Sequence, residues 1–189
     1  MLRKWFQRQK TQPLPDALYA AIVAQARQPD FYARLDVPDT VMGRFQMIAL
    51  HVILVLDRLL DDSGAPEEQK PRQELARALQ ERMFDDMDAS LRELGVSDLG
   101  VPRRMQKLAE LFFGQLKAYR EALGRDEAAL QAVLARNIYA GVEPREESVR
   151  WLAAYARQAR AALAQAGLAD LRAGRVCWPP ILPSTENGS

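Results

Sequence analysis

FYARLDVPDTVMGRFQMIALHVILVLDRLL, residues 31–60, changes character half-way along. From Phe45 onward, Phe45, Ile48, Val52, Leu56 and Leu59 recur at helical spacing, while Leu50, Ile53 and Val55 occupy the other faces. A helix apolar on one stripe lies at a surface; one apolar nearly all round is surrounded by other helices. The stretch therefore predicts the central helix of a bundle, capped by Asp39 or Thr40 and running to about Leu60. His51, the only histidine, falls inside it and reads as a core histidine hydrogen-bonded to a carbonyl.

The rest of the chain supplies the surrounding helices. One is predicted from Pro15 or Asp16 to about Gln28, stopped by Pro29, and Phe31 to Pro38 reads as a loop. Asp61 to Pro71 reads as an exposed loop. A helix from about Arg72 to Leu94 carries Leu75, Leu79, Met83, Met87 and Leu94 on a buried stripe, closed by a left-handed Gly95. The next, from Pro102 to about Leu123, places Met105, Leu108, Phe112, Leu116, Tyr119 and Leu123 together. Asp126 caps a helix to Gly141; Pro144 opens another that Gly167 ends. No run alternates long enough for a strand. The fold expected is all-α, a single domain of about six helices. Residues 1–14 are expected to be a basic flexible segment, 15–173 the helical domain, and 174–189 a Pro-rich non-helical tail with a disordered end.

The 189 residues carry 26 basic and 25 acidic side chains, so no overall field favours DNA or another polyanion. One cysteine, Cys177, excludes an internal disulfide, fits a reducing compartment and reads as a small buried apolar residue. The longest uncharged apolar run, Phe45 to Leu56, is shorter than the roughly 20 residues a membrane span needs. No paired Glu-x-x-His arrangement, GxSxG, Walker or GxGxxG motif occurs. Neither a catalytic residue, a metal site nor a cofactor is expected. Asp85, Asp86 and Asp88 lack a facing acidic cluster and read as a solvated helix face or an acidic docking patch.

Three constellations are candidates for binding. Arg103, Arg104 and Lys107 sit in the first turns of a helix, where positive charge opposes the helix dipole. They either pair with Asp85, Asp86 and Asp88 or meet an anionic protein segment, ribosomal RNA or lipid headgroups. Phe113 lies off its helix's apolar stripe, with Phe84 and Tyr119 at stripe edges, so some aromatic surface is a candidate for exposure. Arg3, Lys4, Trp5 and Phe6 mix cations and aromatic rings as interfacial membrane segments do, or are simply a basic start.

The blocks FYxxLxVPDTxxGRF at 31–45, FxDMDxSLRELGVxDLxV at 84–101, RxMxxLAExFxG at 103–114 and RNIYAG at 136–141 are similar to those of the ubiquinol-cytochrome c chaperones. The resemblance covers roughly Phe31 to Gly141. It implies an all-helical, non-enzymatic assembly chaperone of the respiratory bc1 complex (complex III). Its implied client is newly made cytochrome b; a small partner subunit and the ribosome are further implied partners. By position, Asp39, Gly43, Arg44, Asp85, Asp88, Arg92, Gly95, Asp98, Arg104 and Glu110 carry over as recognition or fold-defining residues, whereas Met42 departs from the polar residue expected there. Asp39, Arg44, Asp85, Asp88, Arg103, Arg104, Lys107 and Phe113 are the expected partner or client contacts, with the VPDTxxGR pattern read as unnecessary for packing. The Ala- and Arg-rich composition favours a bacterial protein, peripheral to the cytoplasmic face of the inner membrane; the mitochondrial matrix side is the alternative. A ribosome- or RNA-associated module and a helical enzyme with an external cofactor are the competing classes. The enzyme requires a deep polar pocket around His51 or Asp85 to Asp88; the chaperone requires an exposed apolar groove with a charged rim.

Overall fold

Thr40 starts the central helix: its hydroxyl oxygen accepts the amide N–H of Gly43 at 3.0 Å, satisfying a donor that the first turn leaves open. The computed structural model describes residues 14–61 and 66–182. Among these, the chain forms eight helices: α1 (Leu14–Ala26), α2 (Pro29–Ala33), α3 (Val41–Leu59), α4 (Pro66–Glu93), α5 (Val101–Leu123), α6 (Glu127–Ile138), α7 (Glu146–Ala164) and α8 (Leu168–Arg172). Six are long and two, α2 and α8, are five-residue turns, so the all-α expectation holds with two short helices added. No strand occurs among the described residues. Arg3, Lys4, Trp5 and Phe6 lie outside them, as does the end of the tail.

Every residue from Gln46 to Asp57 is buried. Around α3, the helices α1, α4, α5, α6 and α7 follow one another as neighbours, and a hydrogen bond from Gln25 Nε2 to Tyr155 Oη at 3.0 Å links α7 back to α1. The apolar side chains form one continuous core, from Leu18 and Ile22 of α1 through α3 to Leu152 and Ala156 of α7. No described helix is long and apolar enough to cross a membrane.

Several boundaries differ from those expected. Pro29 does not merely stop α1: its fixed φ suits a first helical position, so it opens α2 and drives Phe31 fully into the core. The helix expected from Arg72 begins at Pro66 and runs through Pro71. Pro71 gives up one backbone bond near the helix start, where Glu67 and Glu68 favour the positive dipole end. Leu94 lies beyond the end of α4 and is 61% exposed, not on the buried stripe. Gly95, at φ 78°, closes the helix with Gly95 N–H to Arg92 O (2.9 Å) and Val96 N–H to Leu91 O (3.1 Å), the paired bonds of a left-handed stop. Gly167 immediately precedes α8 rather than ending α7. Cys177 is exposed, because the tail turns Trp178 inward instead.

Candidate functional site

The polar entrance to α3 is a packing device. Gly43 lies so close to the chain before the helix that a Cβ there would stand 1.9 Å from the Pro38 carbonyl oxygen. That oxygen is itself held by the Thr40 amide at 2.9 Å. Arg44 Nε donates to Asp39 Oδ1 at 2.6 Å, with both side chains 56% exposed, and this bond draws the Asp39 carboxyl below its usual pKa. Asp36, at φ 55°, accepts Ser148 Oγ at 2.7 Å and Arg145 Nε at 2.8 Å, while Arg145 Nη2 also reaches Arg34 O at 2.7 Å. The guanidinium holds the Asp36 carboxyl well below the ordinary range. Thr40 caps, Gly43 permits contact and Asp36 ties α7 to the turn, so reading VPDTxxGR as unnecessary for packing is corrected.

His51 is fully buried, as expected of a core residue. Its Nδ1–H donates to Met47 O at 2.7 Å and its Nε2 accepts the Tyr155 hydroxyl at 2.8 Å, the tautomer that uses every proton once Gln25 donates to Tyr155. Phe31, Tyr155 and Trp178 enclose the ring at centroid distances of 5.5, 5.6 and 5.1 Å. Among the described residues, no group of three or more His, Cys, Asp and Glu side chains is placed to hold a metal ion.

An open groove of about 530 Å³ is lined by Phe113, Leu116, Lys117, Arg120 and Glu121 of α5 with Asp57 of α3 and Arg160 of α7. Its floor is charged: Asp57 Oδ1 accepts Arg120 Nε at 3.2 Å and Oδ2 accepts Arg160 Nε at 2.8 Å. The same arginines bind the helix ends beside them, Arg120 to Leu60 O (3.3 Å) after α3 and Arg160 to Leu123 O (3.0 Å) at the end of α5. Three helices are thus tied through one carboxylate. An Asp57→Ala variant, measured by urea unfolding, is expected to lose about 2 kcal/mol. The loss stays below the roughly 3–5 kcal/mol of a wholly buried pair because water screens both arginines. An unchanged midpoint would show that the triad ties nothing. The apolar wall is Phe113, 42% exposed, in contact with Phe84 (6.0 Å) and Phe112 (5.6 Å). Phe84 and Tyr119, by contrast, are covered.

The remaining candidates separate. Asp86 accepts the Tyr19 hydroxyl at 3.0 Å and lies 3.6 Å from Arg82; Asp88 accepts Arg92 Nε at 2.7 Å, and Arg92 reaches on to Asp98. Asp85 is exposed. No ion pair joins Arg103, Arg104 or Lys107 to these acids among the described residues, so the salt-bridge reading of that cluster is not realised. Asp57, Arg120 and Arg160 went unread in the sequence as a set, being separated by 63 and 103 positions. The one available signal was an acid at the end of an otherwise apolar helix, since such a buried charge requires partners.

These surfaces belong to an all-α protein of the chaperone class. Residues 33–178 match the family described as Ubiquinol-cytochrome C chaperone, and the chain belongs to that family. It is 23% identical over 166 residues to the Ubiquinol-cytochrome-c reductase complex assembly factor 1 of Xenopus laevis, covering 87% of this chain and 80% of that protein. The human protein of that name is 24% identical over 166 residues, again 87% of this chain but 54% of the human one. The crystal structure of the Cbp3 homolog from Brucella abortus superposes with a TM-score of 0.77 at 38% identity, covering 96% of this chain and 98% of that one.

Proposed function

We propose that this protein assists assembly of respiratory complex III by holding newly made cytochrome b until it is matured, without catalysing a reaction. The match of residues 33–178 to the chaperone family carries the reading. The groove beside Phe113 supports it: a half-exposed aromatic ring and Leu116 lie among Lys117, Arg120, Glu121 and Arg160, so an apolar segment can bind while charges orient it. Next to Phe113, Gly114 has nothing within 4 Å of its missing side chain, which leaves bare helix for close approach. Asp39, Arg44, Asp85 and Asp88, each at least partly exposed, are the further polar contacts of this reading. A small partner subunit and the ribosome are the additional partners. The place of action is the cytoplasmic side of a bacterial inner membrane.

Deletion in the native host, followed by visible spectra of membranes, tests the function. The b- and c-haem signals of the bc1 complex are expected to disappear while other cytochromes persist; normal bc1 content would refute the reading. Complementation with a Phe113→Asp variant tests the groove. Losing an aromatic anchor is expected to weaken cytochrome b capture about tenfold or more, and full capture would move the client elsewhere.

A further inference from the structure

We propose that the corner joining α4 to α5 docks this protein on an anionic lipid bilayer. Two leucines form its tip. Leu94 is 61% exposed and Leu99 is 94% exposed, the latter covered by almost nothing of its own chain. Neither is loosely presented. The left-handed stop at Gly95 fixes Leu94; Gly100 N–H and Val101 N–H both return to Ser97 O, at 2.7 and 3.0 Å, turning the chain tightly around Leu99. Val101 is buried beneath, and Arg92 clasps Asp88 and Asp98 across the turn. A rigid corner holding two apolar side chains in water is unfavourable for an isolated fold and suits a surface that receives them.

The adjoining charge identifies that surface. Arg103, Arg104 and Lys107 are exposed on the first two turns of α5 and form no ion pair among the described residues. At the positive end of a helix they oppose the dipole, so the fold gains nothing from them. Leu111, 39% exposed, follows Lys107 by one turn. Residues 92–111 carry four basic side chains against Glu93, Asp98 and Glu110, of which Asp98 is held by Arg92 and Glu110 accepts Gln106 Nε2 at 2.9 Å. Cations flanking protruding leucines fit an interface where the alkyl tips enter the headgroup boundary and the cations meet lipid phosphates. Residues 92–107 contain no aromatic side chain on which a nucleic-acid base could stack. Phe113 lies about 15 Å along α5 from Arg103, far enough for bilayer and client to be engaged together.

This goes beyond the assembly reading, and vesicle binding by the isolated chain can succeed or fail without it. The test is flotation of the full chain with vesicles of phosphatidylcholine alone and of an equal mixture with phosphatidylglycerol. Binding is expected to the mixed vesicles only, with release by high salt. A Leu94→Ser/Leu99→Ser variant is expected to bind about tenfold more weakly, and Arg103→Glu/Arg104→Glu/Lys107→Glu about 100-fold. Acids are favoured at a helix start, so the reversed variant keeps its fold, as circular dichroism would verify. An Arg3→Glu/Lys4→Glu control retains most of the binding. Equal binding to both vesicles, none to either, or undiminished binding by either corner variant overturns the proposal. Dependence on the cations without the leucines also overturns it, leaving electrostatic adsorption to anionic headgroups with no insertion of the corner.

Discussion

A Gly43→Ala variant is expected to lose about 3 kcal/mol of stability, a fall of very roughly 6–12 °C in Tm for a chain of this size. Ala is the better helix former by about 1 kcal/mol, so propensity alone predicts the opposite sign. Space decides against it. The new methyl carbon would stand 1.9 Å from the Pro38 carbonyl oxygen and 3.0 Å from its carbon, and that oxygen cannot swing away without breaking its bond to the Thr40 amide. Shifting the segment instead disturbs Val37, only 2% exposed, and Asp36, which binds Arg145 and Ser148. Gly114→Ala is the matched control. With nothing within 4 Å of its Cβ, it is expected to gain about 1 kcal/mol. Thermal or urea unfolding of both variants gives opposite signs; a stabilised Gly43→Ala would show that the approach of Pro38 is not required.

Local physics was legible in the sequence. The all-round apolar character of 45–59 identified α3 as central, and Thr40, Gly95 and Asp126 act at helix ends as their residue types predict. What escaped were partnerships made only when distant segments meet. Tyr139 donates to Leu35 O at 2.7 Å, Arg145 clasps Asp36, and Asp57 gathers Arg120 and Arg160; no periodicity encodes such pairs. Pro71 escaped for another reason: a proline read as punctuation can be tolerated near a helix start when the following turns, with Leu75 and Leu79, are anchored in the core. Cys177 was misplaced because burial of a small apolar side chain depends on which neighbour the tail turns inward, and Trp178 takes that place.

The candidate site divides by the same logic. Family-like residues around 36–45 and at Arg92 are occupied in holding the fold, through Gly43 against Pro38, Arg44 with Asp39, and Arg92 with Asp88 and Asp98. Gly114, Arg103, Arg104 and Lys107 have no comparable structural task, and Phe113 packs against Phe84 and Phe112 yet leaves 42% of its surface exposed. A polar pattern in the sequence therefore does not by itself mark a contact surface, whereas polar or apolar groups left over after packing do.

Lowering the pH from 7 to about 4 is expected to remove about 3 kcal/mol of stability through His51 alone. Burial pushes the His51 imidazole down to about 4 from 6.5, only partly opposed by the bond to Met47 O. Above pH 6.5 the ring is neutral in both folded and unfolded chains, and its contribution is fully present. Between 6.5 and 4 the unfolded chain binds a proton that the folded chain refuses, so stability falls with pH across that window. The refusal has a geometric cause: protonated Nε2 would turn a donor toward Tyr155, which already receives Gln25, and would place a charge among Phe31, Tyr155 and Trp178. Loss of the Asp36–Arg145 clasp follows at lower pH, because that carboxyl is held well below the usual range. As the only histidine, His51 gives one imidazole resonance, expected to titrate near pH 4 in the folded chain. In a His51→Gln variant, the fall in urea midpoint between pH 7 and 4.5 is expected to shrink, although the variant starts less stable. A resonance titrating near 6.5 in the folded chain would mean that water reaches the ring and that the seal made by Trp178 and Phe31 is open.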